Sequence, residues 1–531
     1  MAGKAAERIK LVENNITRFE IFPNSGGPAQ NLLGKGGYHL YYYENILSPS
    51  LELQVSLVTT GSDAAANDGS GASISFMDSI KSGAGEKVYL EFEDGNKTKI
   101  SFTTDDNALY LNRTEKLPES NKVAGYTFHL VTKEYFTNEQ ERVLERYDGK
   151  ISDSVKSILK NVLKTNKQLD IEPTQNKYSF IGTNKKPIWC LNWLAKKCIP
   201  DNGNALGSTA GYFFFETKKG FKYKSIEKLF EKPKVYTKLI YNNTPSTAVP
   251  IGYDGKIIKY NTSDTGDLKE QMKLGTYTST MNQFNSFESA YNCNPISLDL
   301  QIKGINFTGV DWGKDVNKIF SSGKPTRFSA SNMSIGGFTS VDESHNTDHD
   351  KETTTCQANS RYNQVYKFEM SIEIAGDFSL EAGDVIYCDF PEKSNKKTPV
   401  PNSRLSGFYL IAAVCHHLEP QMTITSLQLV RDSYGRAPMT SGSSSGSTSS
   451  VQKASDTSPS ASNNPTESKG VTQQDIDTAV NDERTLIADQ ERAVAQTPDN
   501  GINYDDEGYN RDLTNGDILT EEEAEAQFKF R

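Results

Sequence analysis

One strand pattern occurs twice in this chain, about three hundred residues apart, and it limits the folds available to the chain. The first copy reads SPSLELQVSLVTTG at residues 48–61 and GEKVYLEFEDG at residues 85–95. The second reads YKFEMSIEIAG at residues 366–376 and GDVIYCDFPE at residues 383–392. In each copy an alternating segment is followed by a loop, a glycine–acid pair and a second alternating segment. This repetition predicts two related β-modules, although any two β-domains share some of this pattern.

Apolar side chains alternate with polar ones in these segments. A period of two predicts strands with one buried face and one solvated face. Such strands usually form antiparallel sheets that close into barrels or sandwiches. The chain is therefore expected to be mainly β. The apolar faces of the leading strands are Leu51, Leu53, Val55 and Leu57 in the first copy, and Tyr366, Phe368, Met370, Ile372 and Ile374 in the second.

Charge is distributed unevenly along the 531 residues. The formal net charge is −10, but residues 437–531 alone contain 18 acidic and 7 basic residues. That stretch is rich in Ser, Thr, Gly, Asn and Asp, which predicts a solvated extension of low complexity. The body before it is close to neutral, with 50 acidic and 51 basic residues. A near-neutral body argues against a nucleic-acid-binding protein that works by net charge.

Neither a signal peptide nor a membrane span is expected. The first fifteen residues, MAGKAAERIKLVENN, are charged and contain no apolar core. No apolar run approaches the roughly 18 residues that a spanning helix needs. The cysteines are sparse and lack a CxxC pair, which predicts reduced core residues and folding in a cytoplasm. They are Cys190, Cys198, Cys293, Cys356, Cys388 and Cys415.

Two helices are predicted between the modules. The first covers residues 151–164, begins with a cap at Ser152 or Asp153 and carries lysines on its outer side. Those lysines could bind a membrane or an acidic partner, but a solvated face is the commoner arrangement. The second helix runs from Pro187 to about Lys197, with proline marking its start. The side chains expected to pack inward from it are Trp189, Trp193 and Leu194.

An aromatic hairpin is predicted at residues 211–230, which read GYFFFETKKGFKYKSIEKLF. Its turn lies at residues 218–220, and Ser225 caps the short helical turn that follows. Basic residues between aromatic ones could stack single-stranded nucleic acid. A buried hairpin with its lysines on a solvated edge is the more ordinary interpretation, and it is the one we expect.

The sequence carries almost no catalytic signal. It has no P-loop, no GxSxG, no HExxH and no dinucleotide-binding fingerprint. The one metal-like cluster is HNTDHD at residues 345–350, and its spacing matches no strong zinc template. His416 and His417 are adjacent on a predicted strand, so their rings should point to opposite faces and share no site. We predict no catalytic, cofactor-binding or metal-binding residues; metal binding by His345 and His349 stays open, and no partner-binding residue is identified.

Several ordered blocks resemble the baseplate central hub protein of T-even-like contractile-tailed bacteriophages. The central block is GYFFFETKKGFKYKSIEKL. YTFHLVTKEYF and ISDSVKSIL precede it, and GDFSLEAGDVIYCDFP, SGFYLIAAVCHHL and LVRDSYG follow it. The blocks cover about residues 38–435, and their order makes the resemblance more specific than a single motif would. The hub of type VI secretion spikes is a more distant comparison.

The resemblance implies a structural protein without an active site or a cofactor. Hubs of this family are homotrimers in which each chain carries two β-barrels similar to the tail-tube subunit, so that three chains imitate a sixfold ring. The ring adapts a hexameric tail tube to a trimeric cell-puncturing spike and lets DNA pass during entry. The implied partners are the spike or tail lysozyme protein, tail-tube or tube-initiator proteins and baseplate wedge proteins. No sequence-specific nucleic-acid binding or membrane span is implied, and the expected location is the virion tail baseplate, assembled in the host cytoplasm.

The expected fold class is α+β, mainly β. It comprises two tail-tube-like antiparallel β-barrel modules, an intervening helical and β domain, and a disordered C-terminal tail. The expected domains are a first barrel at 1–145, a connecting domain with helices and the aromatic hairpin at 146–231, a second barrel at 232–265 plus 361–435, a polar insertion at 266–360 and an acidic low-complexity tail at 436–531.

Two other functional classes stay as alternatives. A tail-associated peptidoglycan hydrolase would need a paired-carboxylate or metal signature, and none stands out. A β-rich receptor-binding adhesin usually displays repeats or exposed aromatic sites, which fits a single duplication less well. In the tail, residues 473–494 have weak helical spacing, so they could fold onto a partner, although a solvated extension is the more ordinary interpretation.

Overall fold

The computed structural model describes most of the first 434 residues and little of the rest. Contacts between Cα atoms divide the chain into two compact units, Met1–Gly446 and Ser447–Arg531. The described residues are 14–24, 26, 28–34, 37–59, 66–67, 73–74, 85–117, 124–201, 210–241, 255–263, 268–285, 290–296, 308, 326–332, 351–392, 402, 404–420, 422–434, 503–504 and 510–511.

The first group of strands comes from residues 14–132. Most of it forms one antiparallel sheet in the order β3-β4-β10-β9-β7-β1, with β2 on β1 and β8 on β7, whereas β5 and β6 pair with each other. The bounds are β1 Asn14–Phe22, β2 Gln30–Asn31, β3 Gly37–Asn45, β4 Glu52–Thr59, β5 Ala66–Asn67, β6 Ser73–Ile74, β7 Lys87–Asp94, β8 Lys99–Phe102, β9 Leu109–Lys116 and β10 Ala124–Thr132.

A mixed helical and β segment follows, with a core of its own that includes Leu159, Leu191 and Tyr223. The short helix α2 continues directly into a π-helical turn over Ile158–Val162. The bounds are α1 Lys133–Gln140, β11 Arg146–Tyr147, α2 Ile151–Ser157, β12 Leu169–Ile171, β13 Phe180–Ile181, α3 Pro187–Ala195, β14 Tyr212–Thr217, β15 Gly220–Ser225 and α4 Ile226–Leu229.

The second group of strands is interrupted by a small sheet, β19-β18-β20, and by helix α6. The bounds are β16 Lys238–Tyr241, β17 Lys256–Ser263, α5 Leu268–Lys273, β18 Ser279–Asn285, β19 Ala290–Ile296, β20 Arg327–Asn332, α6 Lys351–Val365, β21 Phe368–Ala375, β22 Val385–Asp389, β23 Gly407–Glu419 and β24 Met422–Arg431. In the second compact unit the structure describes one pair, β25 Asn503–Tyr504 with β26 Asn510–Arg511.

The second group closes into a six-stranded barrel. The pairing runs β23-β22-β16-β17-β21-β24 and returns to β23. Alternate residues of its strands fill the interior, as a period of two requires, and they include Met370, Ile372, Leu427 and Leu429. The prediction that the chain is mainly β is therefore confirmed.

Five strands of each group follow the same path. In the first group the order is β3-β4-β10-β9-β7, and in the second it is β17-β21-β24-β23-β22. The chain visits the corresponding strands in the same sequence, and every neighbouring pair is antiparallel. The sixth strand differs, because β1 is antiparallel to β7 whereas β16 is parallel to β22.

The two groups also share a hydrogen-bond pattern and a bulge. In the first, the Leu111 N–H donates to the carbonyl of Glu86, and in the second the Ile411 N–H donates to the carbonyl of Asp384, at 2.9 and 2.8 Å. One residue later each strand bulges, since the pairing with β10 skips Asn112 and the pairing with β24 skips Ala412. A bulge bends a strand and re-aims its edge. The bend therefore falls at the same place in β9 and β23.

The helix starting at Ile151 is present, but its predicted cap is wrong. The N-cap residue is Lys150, which makes no side-chain cap. Ser152 is buried, and its N–H donates instead to the Thr174 hydroxyl at 3.0 Å. A partner from another segment thus replaces a local cap. The helix ends with the π-helical turn at Val162, before the predicted end at residue 164. The predicted outward lysines are exposed, as expected for a solvated face: Lys156, Lys160 and Lys164.

The second predicted helix is also present, from Pro187, but one of its inward side chains is misplaced. Trp189 is 47% exposed, whereas Leu194 is buried and Trp193 is half-buried. Trp189 stacks on Trp193 with ring centroids 6.1 Å apart and packs beneath Lys185. The aromatic pair therefore lies at the rim of the core rather than within it.

Five cysteines are free thiols, namely Cys190, Cys198, Cys356, Cys388 and Cys415. Four are buried, namely Cys190, Cys198, Cys356 and Cys388. Burial raises the pKa of Cys190 to about 11, which makes its thiolate scarce at neutral pH. Among the described residues, no helix has the length and apolar character that would let it cross a bilayer.

Candidate functional site

The two groups of strands meet at one place, which we call the joint: residues 40–45 of β3 alongside residues 413–418 of β23. The strands run antiparallel, with Leu40 opposite Leu418 and Asn45 opposite Ala413. The Ile46 N–H also donates to the carbonyl of the bulged residue Ala412 at 2.9 Å. Because β23 pairs with β22 before the bulge and with β3 after it, one long strand belongs to both sheets.

Glu44 lies beneath the joint and links three parts of the chain. Its carboxylate accepts hydrogen bonds from the Tyr42 hydroxyl at 2.5 Å, the Lys218 N–H at 2.8 Å and the Ala382 N–H at 2.9 Å. The side chain is buried, and burial raises its pKa although these donors oppose the effect. One carboxylate thus holds the first sheet, the β14–β15 turn and the loop before β22 together.

A second buried network surrounds Lys167. Its ammonium group lies 2.5 Å from Glu216 and 2.7 Å from Glu134, and all three side chains are almost fully buried. Glu216 also accepts hydrogen bonds from the Leu51 N–H and the Thr132 hydroxyl. Burial raises the pKa of Glu216, and the two carboxylates raise the pKa of Lys167 against the opposing effect of its own burial. The hairpin strand β14 is thereby fixed to the first sheet.

Three lysines of the aromatic hairpin face one buried carboxylate, Glu381. Lys219 and Lys222 lie 2.6 and 2.9 Å from it, and Lys218 lies 3.7 Å away. The prediction of lysines on a solvated edge is therefore wrong for two of them, because the Lys218 and Lys222 side chains are only 12% and 16% exposed. The Lys218 ammonium also donates to the carbonyls of Phe378 and Leu380. These charges attach the hairpin to the second barrel.

Helix α6 is attached by a third buried cluster, centred on Arg361. Its guanidinium lies 2.7 Å from Glu227 on one side and 2.7 Å from Asp432 on the other. Asp432 also accepts hydrogen bonds from the N–H and the hydroxyl of Thr308. Burial alone would raise the pKa of Asp432, but Arg361 and Thr308 hold it below its usual range. The cluster connects the interrupting segment to the end of β24.

The surface of the joint carries aromatic and ligand-type side chains. His417 stacks on Tyr41 with ring centroids 4.1 Å apart and planes within 10°. His39 lies beside His417, with ring centroids 6.2 Å apart, and Glu419 Oε1 is 3.5 Å from His417 Nε2. The donor atoms of His39, His417 and Glu419 all lie within 4.8 Å of one another. In the described part of the chain this is the one group of three such donors.

The two adjacent histidines do point to opposite faces, as predicted. His416 is fully buried and shares a hydrogen bond with the Thr425 hydroxyl at 2.9 Å, whereas His417 lies on the surface of the joint. The sequence missed the neighbour of His417, since His39 comes from a strand near the other end of the body. The cluster at residues 345–350 lies outside the described residues, and Cys356 next to it is buried in α6.

A cleft of about 670 Å³ lies on the same side of the sheet as this surface. Its lining mixes polar and apolar surface, and its described residues form no catalytic arrangement, since Glu52 is the one carboxylate there besides Glu44, which is already bonded. Its remaining lining includes Tyr43, Ser371, Cys415 and Gln428. The predicted absence of catalytic residues stays a prediction.

Comparisons with known proteins give likeness of fold at low identity. No family model matches the chain, and no curated protein matches it. A tail protein from Neisseria meningitidis MC58 is similar at 9% identity and a TM-score of 0.44, covering 78% of this chain and 96% of that one. A 43 kDa tail protein of prophage MuSo2 from Shewanella oneidensis has 8% identity and a TM-score of 0.45, covering 79% and 99%. An Escherichia coli component of the type VI secretion system, described as similar to T4 tail proteins, has 10% identity and a TM-score of 0.35, covering 80% and 79%.

Proposed function

We propose that this chain is the non-catalytic hub subunit of a contractile phage tail baseplate. Three copies form a ring that adapts a hexameric tail tube to a trimeric cell-puncturing spike. The ordered sequence blocks support this function, and so does the strand path shared by the two groups. Its partners are two further copies, the spike or tail lysozyme protein, tube or tube-initiator proteins and baseplate wedge proteins. It acts in the virion after assembly in the host cytoplasm.

The joint carries this proposal, because its two strands each have a counterpart with an open edge. By the shared path, β17 corresponds to β3 and β9 corresponds to β23. Among the described residues, no strand lies beside the second edge of β9 after the bulge at Asn112. Likewise, beyond Ile257 no described strand pairs with the edge of β17 that faces away from β21. Exposed edges of this kind are templates for pairing with another chain.

We infer that β17 of one copy pairs with β9 of the next, as β3 pairs with β23 inside each copy. Val55 and Ile372 correspond, and their partners are Leu40 in β3 and Tyr260 in β17. In the joint, Tyr43 stands opposite Cys415. If the contact between copies has the same register as the joint, Ser263 of one copy stands opposite Glu115 of the next.

This contact is heterologous, so it must close into a ring or continue as a filament. With two corresponding groups of strands in each chain, three copies give six such groups and six similar joints, three within chains and three between them. A threefold assembly can then match a sixfold tube on one side and a threefold spike on the other.

The solvated face of the joined sheet is suited to line the passage for DNA. It presents polar side chains, and cations on it such as Arg113 and Lys259 are paired with Glu115 and Glu373, so it offers little to hold phosphate groups. DNA would therefore slide through rather than bind, in line with the expectation of no sequence-specific recognition. Residues on this face include Glu52, Gln54, His129, Ser371, Ser426 and Gln428.

The test is a thiol crosslink across the proposed contact between copies. The full chain carrying Glu115→Cys and Ser263→Cys, treated with a short thiol–thiol crosslinker, should give covalent dimers and trimers in denaturing gels. The native particle should have the mass of three chains in sedimentation. The purified spike protein should be added as well, because it can promote closure of the ring.

The matched control pairs Glu115→Cys with Lys256→Cys, at the part of β17 that β16 already covers. This control should give no crosslinked species beyond the level of the single variants. A chain that remains a monomer with and without the spike would overturn the proposal. So would equal crosslinking by the two cysteine pairs, since it would show contact without the inferred register.

A further inference from the structure

The surface of the joint brings together three metal-type donors from two strands. His39 comes from β3, and His417 and Glu419 come from the end of β23. Their donor atoms lie within 4.8 Å of one another, and all three side chains reach solvent to some extent. We propose that they form a zinc site that bridges the two groups of strands.

The strand register explains why these side chains converge. Leu40 stands opposite Leu418, so His39 lies at the level of Glu419, and His417 lies one step along, opposite Tyr41. Residues at alternate positions share a face, and side chains directly or diagonally opposite on paired strands lie within contact distance. All three donors are therefore on the solvated face of the joint.

The donor set suits zinc. Two imidazoles and one carboxylate are a known set of three protein ligands for Zn²⁺, with a fourth position left to water. Bond lengths of about 2.0–2.2 Å place tetrahedral donors roughly 3.4 Å apart. The pair His417 Nε2 and Glu419 Oε1 is already at 3.5 Å, so only His39, the exposed member, has to move inward.

His417 is held in the orientation that such a site needs. Its ring is stacked on Tyr41, which restricts rotation about its side-chain bonds. Its Nε2 atom is shielded from solvent and forms no hydrogen bond within the described part of the chain. A shielded ring nitrogen without a hydrogen bond is costly unless a ligand or ion satisfies it. The atom points toward Glu419, where the zinc ion would sit.

A zinc ion here would hold β3 against β23, where the two sheets join. Any ligand that binds only the folded protein raises its stability by mass action. The ion would therefore stabilise the joint without taking part in chemistry. This role does not depend on the ring proposed above, because all three ligands belong to one chain.

The test uses the full chain, stripped with a chelator and titrated with Zn²⁺ by calorimetry. The wild type should bind zinc, and His417→Gln should weaken the binding at the joint by at least tenfold. Co²⁺ should give the absorption spectrum of a tetrahedral site in the wild type but not in this variant. Zinc should also raise the thermal unfolding midpoint of the wild type and leave that of His417→Gln unchanged.

Two control variants make the result specific. His129→Gln removes another half-buried histidine of the same sheet. His129 lies 3.3 Å from Glu115, and no third donor completes this pair among the described residues. The variant should therefore bind zinc like the wild type. The double variant His345→Gln/His349→Gln should also keep the site at the joint. Zinc binding that is lost with the double variant, or that His417→Gln leaves intact, would overturn the proposal. The proposal would also be overturned if the wild-type chain bound no zinc at a Zn²⁺ concentration on the order of 100 µM.

Discussion

Gly85 and Gly383 occupy the same position in the two groups of strands. Each has a φ of +89°, and each N–H donates to the strand that bulges, to Leu111 at 2.6 Å and to Ile411 at 2.9 Å. Glycine adopts positive φ at little cost, whereas residues with a Cβ rarely do. The glycine of the repeated glycine–acid pair therefore turns the chain into the second alternating strand in both groups.

Alanine at these two glycines should have unequal costs. At Gly85 a Cβ would meet, among the described residues, Asn24 Nδ2 at 3.7 Å, whereas at Gly383 it would lie 2.9 Å from Phe215 Cζ. Both changes strain the backbone, and the second also overpacks the core. We expect Gly85→Ala to lower the free energy of unfolding by about 1 kcal/mol and Gly383→Ala by about 3 kcal/mol. Urea unfolding of both variants measures this, and equal losses would contradict the assigned contact.

Removing the Glu44 carboxylate should loosen the joint. Glu44→Ala leaves the N–H groups of Lys218 and Ala382 and the Tyr42 hydroxyl without their acceptor in a buried site. We expect a loss of about 3–5 kcal/mol in the free energy of unfolding. Glu44→Gln keeps the shape and one acceptor oxygen and should lose less. Urea unfolding and amide hydrogen exchange at β3 and β22 check both, and an alanine variant as stable as the glutamine variant would contradict the network.

Two lysine substitutions should separate buried from exposed ion pairs. Lys167→Met leaves Glu134 and Glu216 buried without their cation, and it should cost about 3–5 kcal/mol. Lys150→Met breaks a pair with Asp201 whose side chains are 42% and 40% exposed, and it should cost no more than about 1 kcal/mol. Denaturant unfolding midpoints give the comparison. Similar costs would mean that the Lys167 site is open to water.

Stability should fall in acid partly through Asp432. Its folded pKa lies below the ordinary value of 3.8 because Arg361 and Thr308 favour the carboxylate. The stability that this lowered pKa contributes is fully present above a pH of 3.8. It is lost as the pH falls through the folded pKa, because the unfolded chain takes up the proton first. Asp432→Asn should therefore be less stable than the wild type at pH 7, with a smaller difference at about pH 3. A difference that is independent of pH, measured by denaturant unfolding, would contradict the role of Asp432.

Local patterns were enough to identify the repeated alternating strands and three of the six described helices, α2, α3 and α4. The alternation around Leu53 and Met370 predicted buried faces, and both side chains lie in sheet cores. Ser225 caps its helical turn as expected, with its hydroxyl accepting from the Lys228 N–H at 3.1 Å. Each of these features depends on neighbours within a few residues in the chain, so the sequence contains the information directly.

The partners of charged groups could not be predicted in the same way. Lys218 is predicted to be solvated because lysines in a turn are usually exposed to water. The loop before β22 nevertheless covers its side chain. Trp189 is predicted in the core because it lies on an apolar helix face, yet no element among the described residues buries it and its side chain is 47% exposed. In both cases burial depends on a segment that is remote in the sequence.

The sequence by itself determined the strand character, the repeated glycine–acid turn and the separation of a near-neutral body from an acidic tail. These follow from side-chain alternation, backbone freedom at glycine and composition, which are local properties. Only the tertiary structure decided that β3 pairs with β23, that Glu44 links three segments and that His39 meets His417. Such contacts join residues hundreds of positions apart, and their energy depends on burial and register that no local pattern records.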